Sequence, residues 1–189
     1  MRRILVWICV AAAGTPAFAQ GTVYFSNHRV DVDAPVSYSD PGAGVNFPLG
    51  GGYLVQLYAG AAPDSLTPVS SAVPFIDSNG RGTGYFNGGP VTVSFLQPGT
   101  GGYFQIRFWD AAAGTTYEAG QASGSFGYSN TILLATLGDP NAAPAGFPAD
   151  LVGLQPSAIV IIPEPSSPVL GLLGAVLLGV LGRISSPRR

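Results

Sequence analysis

Apolar and polar positions alternate with a period of two through most of the chain. Phe104, Ile106 and Phe108 alternate with Tyr103, Gln105, Arg107 and Trp109, which commits one face of an extended segment to a core. Val91, Val93 and Phe95 alternate with Thr92 and Ser94, and Tyr53, Val55 and Leu57 with Leu54, Gln56 and Tyr58. Val30 and Val32 stand in the same relation to Asp31 and Asp33. Further strands are predicted at 23–26, 72–76, 83–87, 116–119, 131–137 and 158–162. Asn79-Gly80, Asn87-Gly88-Gly89-Pro90 and Pro98-Gly99 read as turns between them, the last suited to type II. About eight to ten short strands so spaced predict an all-β fold, an antiparallel β-sandwich. Helical periodicity is missing from this region beyond one turn near Asp64-Ser65-Leu66, and 138–156 reads as a Pro- and Ala-rich loop.

The alternation gives way to uninterrupted apolar runs at both ends. Arg2 and Arg3 precede an apolar run over 4–13, and Ala17-Phe18-Ala19 supplies a small-x-small pattern. That order marks a secretory signal peptide over 1–19, a signal helix cut after Ala19. The ten apolar residues are too few to span a bilayer. Arg2-Arg3 lacks the flanks of a twin-Arg signal, so general secretion is expected. Cys9 is the one cysteine and leaves with the signal, so the mature chain has no thiol for a disulfide, a metal or a nucleophile.

At the other end, Pro163-Glu164-Pro165-Ser166-Ser167 leads into an apolar stretch from Pro168 to Gly182, followed by Arg183, Arg188 and Arg189. As a helix the stretch reaches roughly 22 Å at about 1.5 Å per residue, against a hydrocarbon core of about 30 Å. Ile184 and a snorkelling Arg183 extend it to a predicted membrane helix over 168–184. Pro168 suits the first helical position, and Gly171, Ala175 and Gly179 form a small-residue face. The arginines beyond it read as a stop-transfer, positive-inside signal.

A Pro-Glu-Pro motif, a short Gly- and Leu-rich helix and terminal arginines, in that order, resemble the PEP-CTERM sorting signal of exported proteins in Gram-negative bacteria that make extracellular polysaccharide. The likeness covers residues 163–189, the basic tail being interrupted by Ile184-Ser185-Ser186-Pro187. It implies an exosortase and the secretion machinery as partners, and an inner-membrane precursor held by its C-terminal helix. It also implies processing near Pro163-Glu164-Pro165 and a destination in the cell envelope or outside the cell, with polysaccharide as a candidate partner. Between the two ends, Asp77-Ser78-Asn79-Gly80, Gln97-Pro98-Gly99 and Tyr103-Phe104-Gln105-Ile106 are similar in rhythm to prealbumin-like repeat domains of bacterial surface proteins. That likeness implies a hairpin-rich sandwich and no particular activity.

Residues 20–162 amount to one domain. The chain contains 27 Gly and 17 Pro, a density of breakers that disfavours a helical protein. Its hydrophobic content of 47 % is too high for disorder. Every basic residue is Arg; in the central region Arg29, Arg81 and Arg107 face nine carboxylates, a net charge of −6. Without a basic patch to neutralise phosphates, no nucleic-acid partner is expected.

Candidate chemistry is sparse. His28 is the only histidine, and no Gly-x-Ser-x-Gly elbow accompanies it; Gly120-Gln121-Ala122-Ser123-Gly124 has the wrong spacing. The protein is therefore read as a non-enzyme. Asp31 and Asp33 are expected on one strand face, roughly 6 to 7 Å apart at about 3.3 Å per residue, and Asp110 and Glu118 flank a predicted hairpin. Such pairs suit Ca²⁺ binding or glycoside hydrolysis, but solvated strand positions must carry polar groups anyway, and that role is the one expected. Asp77 and Asn79 are weak calcium candidates, because Gly88 and Gly89 stand where a distal acid belongs. An Asx-type turn is the simpler role, and no metal or cofactor is expected. Tyr103, Gln105, Arg107 and Trp109 share an outward face, a candidate platform for sugar rings or a partner. Large aromatics are usually at least half buried, so packing under a neighbour is the expected alternative. The functional expectation is a structural or adhesive envelope or matrix protein, with a carbohydrate-binding module second and a glycoside hydrolase third.

Overall fold

The computed structural model describes residues 20–40 and 45–161. The signal peptide with Ala17 and Ala19, the Pro163-Glu164-Pro165 motif, the 168–184 helix, and Arg183, Arg188 and Arg189 lie outside the described residues.

β1 (Gly21–Ser26) is followed by the small hairpin β2 (His28–Arg29) and β3 (Val32–Asp33), then by β4 (Val36–Asp40) and β5 (Val45–Pro48). β6 (Tyr53–Gly60) precedes four two-residue pieces, β7 (Thr67–Pro68), β8 (Val73–Pro74), β9 (Asp77–Ser78) and β10 (Arg81–Gly82). After β11 (Asn87–Val93) and β12 (Gly102–Asp110) come a 3-10 turn at Ala111–Ala113 and the helix α1 (Tyr117–Ser123). β13 (Ser125–Tyr128), β14 (Ile132–Leu134), β15 (Ala149–Asp150) and β16 (Ser157–Ile161) complete the described chain.

The fold is all-β. Nine strands form an open sheet in the order β5-β4-β16-β13-β12-β6-β7, with β14 beside β12 and β8 beside β6. β1 sits between β11 and β15 in a second sheet. β12 runs antiparallel to β6 through eight successive pairs, from Tyr103↔Gly60 to Asp110↔Tyr53. Here the period of two acts as predicted: Phe104, Ile106 and Phe108 lie opposite Ala59, Leu57 and Val55, and all six are buried. Such cross-strand apolar pairs are the unit of sheet stability.

Val23 and Phe25 of β1 and Val93 of β11 belong to the same core. A row of rings joins the two sheets: Phe25 to Phe86 at 4.7 Å between centroids, Phe86 to Phe75 at 5.7 Å, and Phe75 to Phe108 at 6.3 Å. These tilted and edge-on contacts lie in the favourable range for aromatic pairs.

Where β1 ends, a side chain replaces ladder bonds. Asn27 is 0 % exposed. Its Nδ2 donates to the carbonyls of Ala34 (2.8 Å) and Gly84 (2.9 Å), and its Oδ1 accepts the Phe86 N–H at 2.9 Å. The Asn27 carbonyl also accepts the Ala34 N–H at 3.0 Å. One residue thus ties together three segments that no strand pairing joins at this point.

Departures from the predicted strands have identifiable causes. Asn87-Gly88-Gly89-Pro90 is the first half of β11, not a turn, and pairs with β1 across a bulge at Phe25/Ser26. Pro90 is tolerated because β11 is an edge strand. A Cβ on Gly88 would collide with the Phe25 ring, so this glycine marks a close approach. Val30 and Asp31 form the turn of the β2–β3 hairpin instead of a strand, and Val30 is 93 % exposed.

The predicted strand at 116–119 is the start of α1. Thr116 Oγ1 accepts the Ala119 N–H, and Gly124 at φ 75° closes the helix, a cap at each end that outweighs a few alternating residues. Residues 83–86 are irregular, the Asp64 segment is a turn without helix, and 72–76 and 131–137 shrink to β8 and β14. β2, β4, β5, β7, β9, β10 and β13 fall outside the predicted set; β4 alternates well, but Pro35 and Pro41 bracket it like loop residues. The 138–156 loop contains β15, which pairs in parallel with β1. β4 and β16 are also parallel, so both sheets are mixed and the expected wholly antiparallel pairing does not hold. Two predicted turns are present: Asn79 (φ 53°) and Gly80 (φ 73°) link β9 to β10, and Gly99 (φ 72°) follows Pro98 in the turn closed by Thr100 N–H to the Gln97 carbonyl.

Asn27→Ala strands the buried Phe86 N–H and the Ala34 carbonyl, each worth roughly 1–3 kcal/mol, and leaves the Gly84 carbonyl with the Val36 N–H alone. Urea unfolding of the full-length protein is expected to show a loss of about 3 kcal/mol or more for Asn27→Ala. A similar loss is expected for Asn27→Asp, which retains only the acceptor. A loss below about 1 kcal/mol in both variants would show that the three segments hold together without this amide.

Candidate functional site

The outer face of β12 carries the candidate platform, and α1 covers part of it. A Cβ on Gly120 would collide with Trp109, so glycine lets the helix backbone rest directly on the indole. Trp109 is 0 % exposed, and its Nε1–H donates to the Gly114 carbonyl at 2.9 Å. Tyr117, the first residue of α1, meets Trp109 and Tyr58 edge-on at 6.2 Å each and Phe126 at 5.9 Å. These rings form a second apolar cluster beneath the helix. Trp109 is therefore packing and not an exposed platform residue. Tyr103 lies at the far end of the strand, opposite Gly60 and Leu133. Only Gln105 and Arg107 remain together as a polar pair.

That pair is fixed from below. β14 accompanies β12 as far as Phe104 and β13 takes over at Arg107. Ser129 fills the gap: its N–H donates to the Ile106 carbonyl at 3.0 Å and its Oγ accepts the Ile106 N–H at 3.1 Å. Gln105 Nε2 donates to the Ser129 carbonyl at 3.1 Å, while its Oε1 accepts the Arg107 Nε–H at 2.9 Å. The guanidinium carbon then lies 4.1 Å over the Tyr58 ring and 5.3 Å from that of Tyr117, a cation–π seat.

The ion pairs seen among the described residues are His28–Asp33 and Arg29–Asp150; Arg107 has none. Its Nε is the nitrogen with a hydrogen-bond partner of good geometry. Burial and then Glu118 raise the pKa of the Tyr58 hydroxyl, while the Arg107 charge and a hydrogen bond from its guanidinium pull the other way. Burial pushes the Tyr117 hydroxyl up to about 12, with Arg107 pulling the other way. Both phenols are thus neutral at neutral pH. Gln105, Arg107 and Tyr117 open onto a cleft of about 360 Å³ whose walls include Asp64, Leu66, Gln121 and Tyr128.

The other sequence candidates are not assembled into a site. Asp31 occupies a turn while Asp33 lies on β3, so the expected shared strand face does not exist. Asp33 accepts the Tyr85 hydroxyl at 2.8 Å and stands 3.6 Å from His28 Nδ1, with the His28 ring stacked on Tyr85 at 4.6 Å. Asp110 caps the 3-10 turn by accepting the Ala112 N–H at 2.8 Å. Glu118 sits in the first turn of α1, where the helix dipole favours an acid. These two flank helical segments and not the predicted hairpin. Asp77 Oδ1 accepts the Gly51 N–H at 3.0 Å and leads, with Asn79, into the β9–β10 turn. No group of three or more His, Cys, Asp or Glu side chains among the described residues is placed to hold a metal.

Sequence reasoning missed Tyr117 and Gln121 because it read 116–119 as a strand, and Tyr128 because β13 fell outside the predicted strands; the spacing from Thr116 to Gly124 is the signal for that helix. No family model, curated protein or solved structure matches the chain.

The Tyr117 shift gives a pH dependence with a definite sign. The folded state keeps a proton that the unfolded chain releases near pH 10, so this stabilisation is complete below about pH 10 and is lost as pH rises through about 12. Tyr117→Phe keeps the ring and is expected to make the fall in urea midpoint across that window shallower. Tyr53 and Tyr58, also raised chiefly by burial, keep some slope in the variant. An unchanged slope in Tyr117→Phe would show that the hydroxyl does not titrate as a buried group.

Proposed function

We propose that the protein is exported by a Gram-negative bacterium, held in the inner membrane by its C-terminal helix and sorted by an exosortase. Its folded part, a β-sandwich with mostly antiparallel pairing, serves as a structural or adhesive component of the cell envelope or extracellular matrix. The reading rests on one observation: a signal pattern at 1–19 and a three-part PEP-CTERM-like order at 163–189 stand in the same chain. The start of the β domain supports it. β1 starts at Gly21, just past Ala19. The Gly21 N–H already donates to the Leu96 carbonyl at 2.8 Å, so a cut after Ala19 spares the first strand. The engagement of Asp33, Asp77 and Asp110 in a surface pair, a turn and a cap favours a structural role over hydrolysis.

Mass spectrometry of the protein recovered from its native host is expected to find an N-terminus at Gln20 and a C-terminus near Pro163-Glu164-Pro165. Glu164→Ala is expected to accumulate in the membrane fraction with its C-terminal segment retained. Mature protein that keeps both Met1 and Arg189 overturns the proposal.

A further inference from the structure

We infer that the Arg107 cleft binds a hexuronate unit, a sugar ring bearing a carboxylate. The inference rests on the geometry of the cleft and is independent of where the protein is sorted.

The first argument is the state of Arg107. The domain carries nine carboxylates, and Arg29 has taken one of them as an ion-pair partner at 3.0 Å, yet none is within ion-pair reach of Arg107 among the described residues. The guanidinium is nevertheless held rigidly, by the relay from the Ser129 carbonyl through Gln105 to Nε and by the Tyr58 ring beneath it. With Nε engaged by Gln105, the terminal nitrogens keep N–H donors for a ligand beside the one that meets the Tyr58 hydroxyl, and a guanidinium fork matches a planar carboxylate with two parallel hydrogen bonds. A side chain with large rotamer entropy has thus been ordered in advance of any ligand, which lowers the cost of binding one.

The second argument is what surrounds the fork. A cleft of about 360 Å³ is at the small end of small-molecule sites, which run from about 300 to 1,000 Å³, and suits a single ring. Tyr128 stands on its wall 57 % exposed and offers a flat apolar face to the C–H side of a pyranose. The Gln121 amide both donates and accepts, and the Asp64 carboxylate accepts, as vicinal hydroxyls require. Asp64 also selects the charge of the ligand, since a second negative group on the wall penalises a dianionic phosphate more than a monoanionic carboxylate. Fork, ring face and hydroxyl partners together describe an acidic sugar more closely than a bare anion or a neutral sugar.

The test is calorimetric titration of the detergent-solubilised full-length protein with three probes: trigalacturonate, its neutral methyl ester, and acetate. Trigalacturonate is expected to bind saturably, with the ester and acetate each at least about tenfold weaker because one lacks the charge and the other the ring. Arg107→Lys keeps the charge but loses the fork and is expected to weaken trigalacturonate about tenfold or more. Should that variant unfold, Tyr128→Ala at its exposed position decides, with an expected loss of about three- to tenfold at unchanged melting temperature. Equal binding of the ester, equal binding of acetate, no saturable binding by folded protein, or affinity unaltered in both variants overturns the inference. Each of these readouts is separate from the processing masses that test export.

Discussion

The buried amide of Asn27 is the constraint on which the rest of the architecture depends. β1 delivers Val23 and Phe25 to the core, but its pairing with β11 ends at Ser26. Beyond it the chain must pass the approach to β4 at Ala34 and the irregular stretch that brings Phe86 inside. A buried backbone without partners costs as much as a lost hydrogen bond at every group. Asn27 meets that need with two donated bonds and one accepted bond, at the junction where the second sheet joins the segments leading to the larger one. Phe86, whose N–H it holds, is the central ring of the row from Phe25 to Phe108, so the polar junction and the apolar row locate each other.

β12 serves two interiors at once. One face, Phe104, Ile106 and Phe108, enters the main core; the other runs from Tyr103 through a polar pair to Trp109, beneath α1. The division follows from the strand's partners. Where β13 and α1 follow in the chain, the outer face is covered and an indole can be buried with its N–H satisfied. Gln105 falls between the reach of β14 and that of β13, and Arg107 begins the β13 stretch at the rim of the helix. The cleft lies beside this seven-residue helix, which lines it with Tyr117 and Gln121.

The strands with uninterrupted alternation, β6 and β12, were legible because each side chain answers only to the face of its own strand. Alternation around Val30 misled, since two residues of period two are equally compatible with a hairpin whose turn they form. The Asn-Gly-Gly-Pro run misled for a different reason: its glycines answer to a ring of another strand, Phe25, and its proline to an edge position, and neither partner is visible locally. Asn27 carried no signal at all. A single asparagine in a turn-rich stretch looks like any loop residue, and its role emerges only when residues 34, 84 and 86 arrive around it. At the site, Gln105 and Arg107 were readable as outward-facing, while the fate of Trp109 depended on a helix announced by a threonine and a glycine eight positions apart.

The order of strand partners along the chain bears on when the fold can close. β1 pairs with β11 and β15, and β4 with β16, so the earliest segments are completed only by the latest. Distant partners make for slow closure, and the leading half has no finished sheet to settle into while the trailing strands are still behind. Synthesis from the N-terminal end therefore leaves both sheets unfinished until the chain is nearly complete. β16, the final described strand, is the piece that joins β4 and β5 to the rest of the larger sheet, seated between β13 and β4.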